Sequence, residues 1–202
     1  MLFLNIFVLI LGFGGIQTGF AISGNNQTAN IIAAKFDWSE EETRFFNSII
    51  NTCSILGMAI GSLFGGIAIQ MGRRKTILVF NILSMLSLCT TLILNLPAIA
   101  IGKLLFGFSA GVINVAGPKM LDETVPVDLL GAFGIATNLY VCLGISISVV
   151  IGFGLPKEGD IEAFKNDEFW RVVYGFPIIF CVLLQLSLLV YLKEDSIIFS
   201  IK

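Results

Sequence analysis

The sequence predicts an all-α membrane protein, in which a bundle of six transmembrane helices forms a single domain of 202 residues. Hydrophobic residues make up 56% of the chain and its mean hydropathy is +0.93. Only 13% of residues are charged, against about a quarter in soluble domains. Apolar runs of the roughly 20 residues that cross a bilayer core recur between short polar segments. They predict six spans, at approximately 2–24, 45–69, 76–94, 98–120, 129–155 and 169–192.

The first two spans are defined by what precedes them. The first run lacks the charged leading segment and the small-residue cleavage site of a signal peptide, so we interpret it as a retained span. Before the second run, Ser39 stands three residues ahead of Glu42. This spacing allows reciprocal capping of free backbone N–H groups, which predicts that the second helix begins near Glu40.

The loop between the second and third spans indicates the orientation. It carries the dense basic cluster Arg73-Arg74-Lys75, and such clusters favour the cytoplasmic side. With six spans, both termini are then also expected to be cytoplasmic. The chain is thus predicted to be an integral, multi-pass protein whose first partner is the lipid bilayer.

Small residues at four-residue spacing predict how the helices pack. In lipid, such stripes let helix backbones approach closely, so we expect one tight bundle. The stripes are Gly15 and Gly19 on the first span, Gly57, Gly61 and Gly65 on the second, and Gly107 and Gly111 on the fourth.

The residue inventory argues against several function classes. The chain has no histidine, which removes the usual general base and zinc ligand. Its four cysteines lie in apolar runs without close spacing and are interpreted as packing residues. The basic residues, apart from one triplet, are scattered, so no basic face is available for nucleic acid. We expect no catalytic residue, no metal, no cofactor and no nucleic-acid partner.

The loop that begins at Gly65 and contains Gly72, Arg73 and Arg74 resembles a signature of the major facilitator superfamily, G-x-x-x-D-R-x-G-R-R-K. The fourth and fifth spans resemble the sugar porter pattern G-R-x-x-x-G-x-x-x-G, followed by P-x-x-x-x-E-x-x-P-x-x-x-R-G. The matching positions are Gly102, Lys103, Gly107, Gly111, Pro118, Glu123, Pro126 and Gly131.

This resemblance covers the amino-terminal half of a twelve-helix fold. It implies two inverted three-helix repeats, a site near the midplane and transport of a neutral solute such as a hexose. Transport would then need a second six-helix bundle, supplied by a homodimer partner, by a separate chain or by a chain longer than this sequence.

Four uncharged amides are the candidate substrate-binding residues: Asn138, Gln17, Asn114 and Asn51. Asn138 takes the place of a glutamine that contacts sugar in the resembled family. Gln17 takes the place of an aspartate that proton-coupled sugar porters carry, so the resemblance implies passive transport. Amides in membrane helices also bond neighbouring helices, and that alternative stays open for Gln17, Asn114 and Asn51.

The charged candidates have two interpretations each. Arg73, Arg74 and Glu123 could form a gate or simply anchor the topology. Lys103, some five residues into its span, is a functional candidate by depth, whereas snorkelling to the outer interface is slightly favoured.

Departures from the family pattern share one side of the membrane. Ile69 and Gln70 replace an acid-base pair, Leu130 replaces an arginine, and residues 195–199 resemble a degraded E-S-P-R-F segment. They favour an alternative function, a structural subunit of a larger membrane complex that does not transport.

Overall fold

The computed structural model describes residues 2–156 and 168–191, with side chains from residue 4 onward. The described residues form helices and turns only, and they build the all-α helical bundle that the sequence predicts. The helices are α1 (Leu2–Lys35), α2 (Glu40–Ala68), α3 (Arg73–Thr91), α4 (Leu96–Thr124), α5 (Val127–Gly152), α6 (Phe169–Gly175) and α7 (Pro177–Val190).

Helix α1 continues to Lys35, well beyond the predicted end of the span at Gly24. The hydropathy falls after Gly24 because polar residues follow, but Asn25 and Thr28 are buried inside the bundle. The Thr28 hydroxyl donates to the carbonyl oxygen of Gly24 at 3.0 Å. Polar side chains that are bonded internally therefore extend a helix that hydropathy alone ends too early.

Helix α2 begins at Glu40, as its capping signal predicts. The Glu42 backbone N–H donates to the Ser39 hydroxyl at 3.3 Å, and the Ser39 N–H donates to the Glu42 carboxylate at 2.9 Å. Helix α2 ends in a short 3₁₀ turn, Ile69–Met71, followed by Gly72 at φ 105°. A side chain is strained at that φ, which explains why glycine stands before the basic triplet.

Within residues 2–156 and 168–191, five helical segments are long and apolar enough to cross a membrane: α1, α2, α4, α5, and α6 with α7 taken together. Helix α3 is not among them, because it is 19 residues long and begins with Arg73, Arg74 and Lys75. The sixth predicted span is interrupted at Phe176, between α6 and α7. Pro177 lacks the N–H that a continuous helix requires, so it starts a new segment. Leu192, the predicted end of this span, lies outside the described residues.

Helices α2 and α4 meet backbone to backbone at their glycines. A Cβ atom on Gly57 would overlap the Leu104 carbonyl oxygen, and one on Gly61 would overlap the Phe108 carbonyl oxygen. From the other side, a Cβ on Gly107 would overlap the carbonyl oxygen of Ser54, and one on Gly111 that of Met58. The predicted close packing of these stripes is confirmed.

The contact between α1 and α5 has the same arrangement as the contact between α4 and α2. A Cβ on Gly19 would overlap the Val141 carbonyl oxygen, as a Cβ on Gly111 would overlap that of Met58. Likewise, Gly144 faces the carbonyl of Ile16, as Gly61 faces that of Phe108. The α1–α5 contact is therefore the counterpart of the α4–α2 contact, as two inverted three-helix repeats require.

Candidate functional site

A cleft of about 210 Å³ lies between α1, α4 and α5, and Ile77 of α3 and Leu184 of α7 also line it. It lies toward the end of the bundle that carries the basic triplet, which we call the Arg73 end; the opposite end is the Trp38 end. The remaining lining residues are Leu11, Gly14, Gly15, Ile113, Asn114, Gly117, Pro118, Thr137, Asn138 and Val141.

The polar groups of the cleft are uncharged. The side chains of Asn114 and Asn138 are both exposed, and each can donate and accept hydrogen bonds. The Thr137 hydroxyl donates to the Gly134 carbonyl oxygen at 2.7 Å and keeps acceptor capacity. Because Pro118 has no N–H, the carbonyl of Asn114 lacks its regular helical donor. The cleft thus offers amide, hydroxyl and carbonyl groups to a neutral ligand.

The structure brings together only two of the four predicted substrate-binding amides. Gln17 is fully buried and does not line the cleft, and neither its Nε2 nor its Oε1 atom has a hydrogen-bond partner among the described residues. Asn51 lies in a separate network at the Trp38 end. Its Oδ1 atom accepts from Asn25 Nδ2 at 2.6 Å, and the Tyr174 hydroxyl donates to Asn25 Oδ1 at 2.8 Å.

Lys103 lies next to this network and does not snorkel. Its side chain is only 2% exposed, and its Nζ atom lies 3.4 Å from the Ala21 carbonyl oxygen. The ammonium also lies 4.4 Å from the centre of the Tyr174 ring, a cation–π contact. The expected snorkelling is therefore wrong, because the lysine side chain points into the bundle and contacts the Ala21 carbonyl and the Tyr174 ring. No carboxylate of the described residues forms an ion pair with it.

The charged loop residues pair locally at the Arg73 end. The Arg73 guanidinium donates to Glu123 Oε1 from Nη2 at 2.5 Å and from Nε at 3.1 Å. The Arg74 guanidinium donates to the Leu188 carbonyl oxygen at 3.2 and 3.3 Å. Leu188 lies in the last turn of α7, where carbonyl oxygens lack helical donors. Arg73 and Arg74, in the first turn of α3, thus join this helix to α4 and α7.

The other motif positions have structural surroundings. Gly65 faces the Val115 side chain, and Pro126 precedes the first residue of α5. A Cβ on Gly131 would meet nothing within 4 Å. The segment 195–199, which resembles a degraded loop motif, lies outside the described residues.

Three polar residues of these two sites are absent from the sequence-based candidates. Thr137 is adjacent to Asn138 in the sequence, and that adjacency was the available signal. Asn25 lies just beyond the predicted end of the first span. Tyr174 is not part of any motif that the sequence analysis identifies. The capacity of buried asparagines to bond across helices could have indicated Asn25 but not its partners.

A family model described as "Sugar (and other) transporter" matches residues 7–199. Hexose transporter 1 of Plasmodium falciparum (isolate 3D7) is 28% identical over 192 residues, which cover 88% of this chain and 38% of that protein. Plastidic glucose transporter 4 of Arabidopsis thaliana is 26% identical over 185 residues, which cover 90% of this chain and 32% of that protein. The chain therefore spans less than two fifths of the length of these relatives.

Solved structures show the same fold. The proton:xylose symporter XylE of the major facilitator superfamily, bound to 6-bromo-6-deoxy-D-glucose, matches with a TM-score of 0.85 at 17% identity. That match covers 96% of this chain and 45% of XylE. The inward open conformation of XylE from E. coli gives a TM-score of 0.81 at 17% identity, and the match covers 98% of this chain and 50% of that chain. The predicted half of a major facilitator fold is confirmed.

Proposed function

The chain belongs to the Sugar (and other) transporter family, and from this premise we propose that it serves passive transport of a neutral solute such as a hexose. The observation that carries the proposal is the cleft, where Asn114, Thr137 and Asn138 present amide and hydroxyl groups without any charged lining residue. Hydroxyl groups of a sugar pair with such groups as donors and acceptors.

A second six-helix bundle would complete the site. Pockets that enclose a small ligand usually measure roughly 300 Å³ or more and bury most of its surface. The cleft of about 210 Å³ is smaller and lies on one side of this bundle. It supplies one wall, and a second six-helix bundle, in a second copy, a separate chain or a longer chain that contains this sequence, supplies the other. The larger size of the matched relatives supports this requirement.

The distribution of acidic residues supports a passive mechanism. Proton coupling in a membrane transporter uses titrating carboxylates inside the spans. The acidic residues of the described chain lie at helix ends or in the connections: Asp37, Glu40, Glu41, Glu42, Asp122, Glu123, Asp128 and Glu168. Gln17 occupies the buried position at which the family's proton-coupled members carry a carboxylate.

A second candidate is a structural subunit of a larger membrane complex. It is favoured by the replacements at the Arg73 end, where Ile69, Gln70 and Leu130 stand in place of charges that join two halves in the family. A bundle held by other subunits has no need for those charges, and unpaired charges near lipid are costly. In both candidates, we place the Arg73 end and both termini on the cytoplasmic side.

The test is uptake of labelled hexose into liposomes containing the full chain. We expect saturable uptake whose rate per molecule rises with protein density, because two bundles must meet. Asn138→Ala should lower uptake about fivefold, the effect of losing about 1 kcal/mol of hydrogen bonding. Leu139→Ala is the matched control, since Leu139 is 58% exposed on the outer side of the same helix.

Absence of uptake at every density would overturn transport by this chain alone. Stoichiometric co-purification with other membrane subunits would then favour the structural role. An unchanged rate in Asn138→Ala would remove that residue from the solute site.

The passive mechanism has its own test. Uptake should not respond to an imposed pH gradient, whereas Gln17→Asp should introduce a response, with faster uptake toward the more alkaline side. A pH response in the unsubstituted protein would contradict passive transport.

A further inference from the structure

The internal symmetry identifies one position where the two glycine contacts differ. Gly107 faces the carbonyl oxygen of Ser54, and the equivalent Gly15 faces that of Thr137. Gly57 of α2 lies three residues after Ser54, and Tyr140 of α5 lies three residues after Thr137, so these two positions are equivalent. Gly57 lets α2 touch the backbone of α4. At the equivalent point of α5, a large aromatic ring stands between the helices.

The Tyr140 ring lies against Gly12 of α1. Its ring carbons are 2.5–2.6 Å from the place that a Cβ on Gly12 would occupy, so a larger residue there would displace the ring. Gly12 is the counterpart of Leu104, whose backbone meets Gly57 in the other repeat. A backbone-to-backbone contact in one repeat is therefore replaced by a backbone-to-ring contact in the other.

The helices are further apart at this level. A Cβ on Gly15 would stand 3.3 Å from the Thr137 carbonyl oxygen, whereas a Cβ on Gly107 would overlap the equivalent oxygen of Ser54. One turn further along, Gly19 makes the same backbone overlap as its counterpart. The widening is thus local to the turn beside Tyr140.

The widened turn borders the cleft. The lining residues include Gly14 and Gly15 of α1 and Thr137, Asn138 and Val141 of α5, but not Tyr140. The separation of α1 from α5 therefore determines how much room lies between the α1 backbone and the side chain of Asn138.

We propose that Tyr140, seated on Gly12, is a wedge that sets the width of the solute cleft and thereby the size of solute that it accepts. Tyr140 is a positioning residue, because it acts on the cleft through the spacing of two helices. Without the ring, Gly12 and Gly15 allow α1 to approach α5 as closely as α4 approaches α2. The statement about solute size rests on the proposed transport function, whereas the statement about cleft width does not.

The experiment measures cleft width and solute preference separately. A cysteine is placed at Asn138 in a chain whose Cys53, Cys89, Cys142 and Cys181 are replaced by serine, and its reaction rate with a water-soluble maleimide is followed in liposomes. Residue 140 is then varied through Phe, Leu, Ala and Gly. We expect the rate to stay near its original value for Phe and to fall stepwise, about tenfold in total, as the side chain shrinks.

The control is Leu139→Gly, which places the same flexible residue in α5 on its exposed side and should leave the labelling rate unchanged. A rate that is constant or rises across the series would overturn the wedge, since it would mean that the helices stay apart. The series decides the matter even if the glycine variant does not fold, because the Leu and Ala variants already give the trend.

With Asn138 restored, competition between labelled hexose and a pentose tests the size preference. Smaller residues at 140 should shift the preference toward the pentose. If labelling follows the series but no variant takes up either sugar, the proposed function fails and the wedge stands. If sugar uptake is present and its preference is constant along the series, Tyr140 does not determine specificity.

Discussion

The two ends of the bundle have equivalent helices but are closed differently. At the Trp38 end, Asn25 of α1 bonds Asn51 of α2 and accepts from Tyr174. Asn25 lies six residues after Gly19, as Gly117 lies six residues after the equivalent Gly111. Asn51 lies ten residues before Gly61, as Gly134 lies ten residues before the equivalent Gly144. Gly117 and Gly134 are therefore the equivalents of Asn25 and Asn51 at the Arg73 end. A Cβ on either glycine would meet nothing within 4 Å.

This difference shows how a symmetric fold acquires a direction. The inverted repeats place equivalent backbones at both ends, so the backbone itself favours neither. Two amide side chains bridge α1 and α2 at one end. At the other end, where the cleft lies, the equivalent positions are glycines with free space around them. The end with the cleft thus differs from the other end in a few side chains on a symmetric backbone.

The largest effect is expected from breaking the closed end with Asn25→Leu. The substitution removes both hydrogen bonds and leaves the buried Tyr174 hydroxyl without its acceptor. Each unsatisfied buried group costs about 1–3 kcal/mol, so we expect a loss of about 3 kcal/mol in unfolding free energy. Unfolding in detergent micelles titrated with dodecyl sulfate measures it.

Asn114→Leu is the matched control for Asn25→Leu, because Asn114 is an exposed amide of the open end. It should change stability by less than about 0.5 kcal/mol. Equal losses in the two variants would show that the two ends do not differ in the way described.

An effect of opposite sign is expected at Lys103, also in the closed half. Its ammonium is buried without a carboxylate among the described residues, and such charges are costly inside a membrane. Lys103→Met keeps the packing of the stem and should stabilise the bundle by about 2 kcal/mol. The exposed Lys119→Met is the control and should have little effect. A destabilised Lys103→Met would mean that the contacts with Ala21 and Tyr174 outweigh the cost of burial.

The comparison can also be inverted. The double substitution Gly117→Asn with Gly134→Asn copies the asparagine pair to the open end, where both positions have free space. One new hydrogen bond should add about 1 kcal/mol of stability and obstruct the cleft. We expect maleimide labelling of a cysteine at Asn138 to fall about tenfold. The alanine pair at the same positions cannot form the bond, so it should label at close to the original rate.

The sequence predicted the bundle because bilayer thickness and hydrophobicity determine spans directly. It also predicted the start of α2 at Glu40 and the close packing of the glycine stripes, since both follow from local spacing. It missed the continuation of α1 to Lys35 and the break at Phe176. Those features depend on which residues a helix meets in the bundle, and a single sequence does not contain that information.

The site was less predictable than the fold. Amide chemistry makes Asn114 and Asn138 candidates, with the family resemblance as further support for Asn138, and the structure places both in the cleft. Asn51 and Gln17 have the same chemistry but lie elsewhere, because the face of a helix on which an amide stands depends on packing. Lys103 shows the same difficulty, since its depth was predictable and the direction of its side chain was not.

The smallest effect is expected at the ion pair of the open end. The side chains of Arg73 and Glu123 are 18% and 22% exposed, so water and salt weaken their attraction. A double-mutant cycle with Arg73→Gln and Glu123→Gln should give a coupling of about 0.5–1 kcal/mol, falling as salt is added.

Arg73→Lys keeps the charge, so unchanged uptake in that variant favours topological anchoring and lost uptake favours a gate. A salt-independent coupling above about 2 kcal/mol would mean that water does not reach the pair. The Arg73 end would then be closed more tightly than its two glycines indicate, and the contrast between the ends would have to rest on the asparagine pair alone.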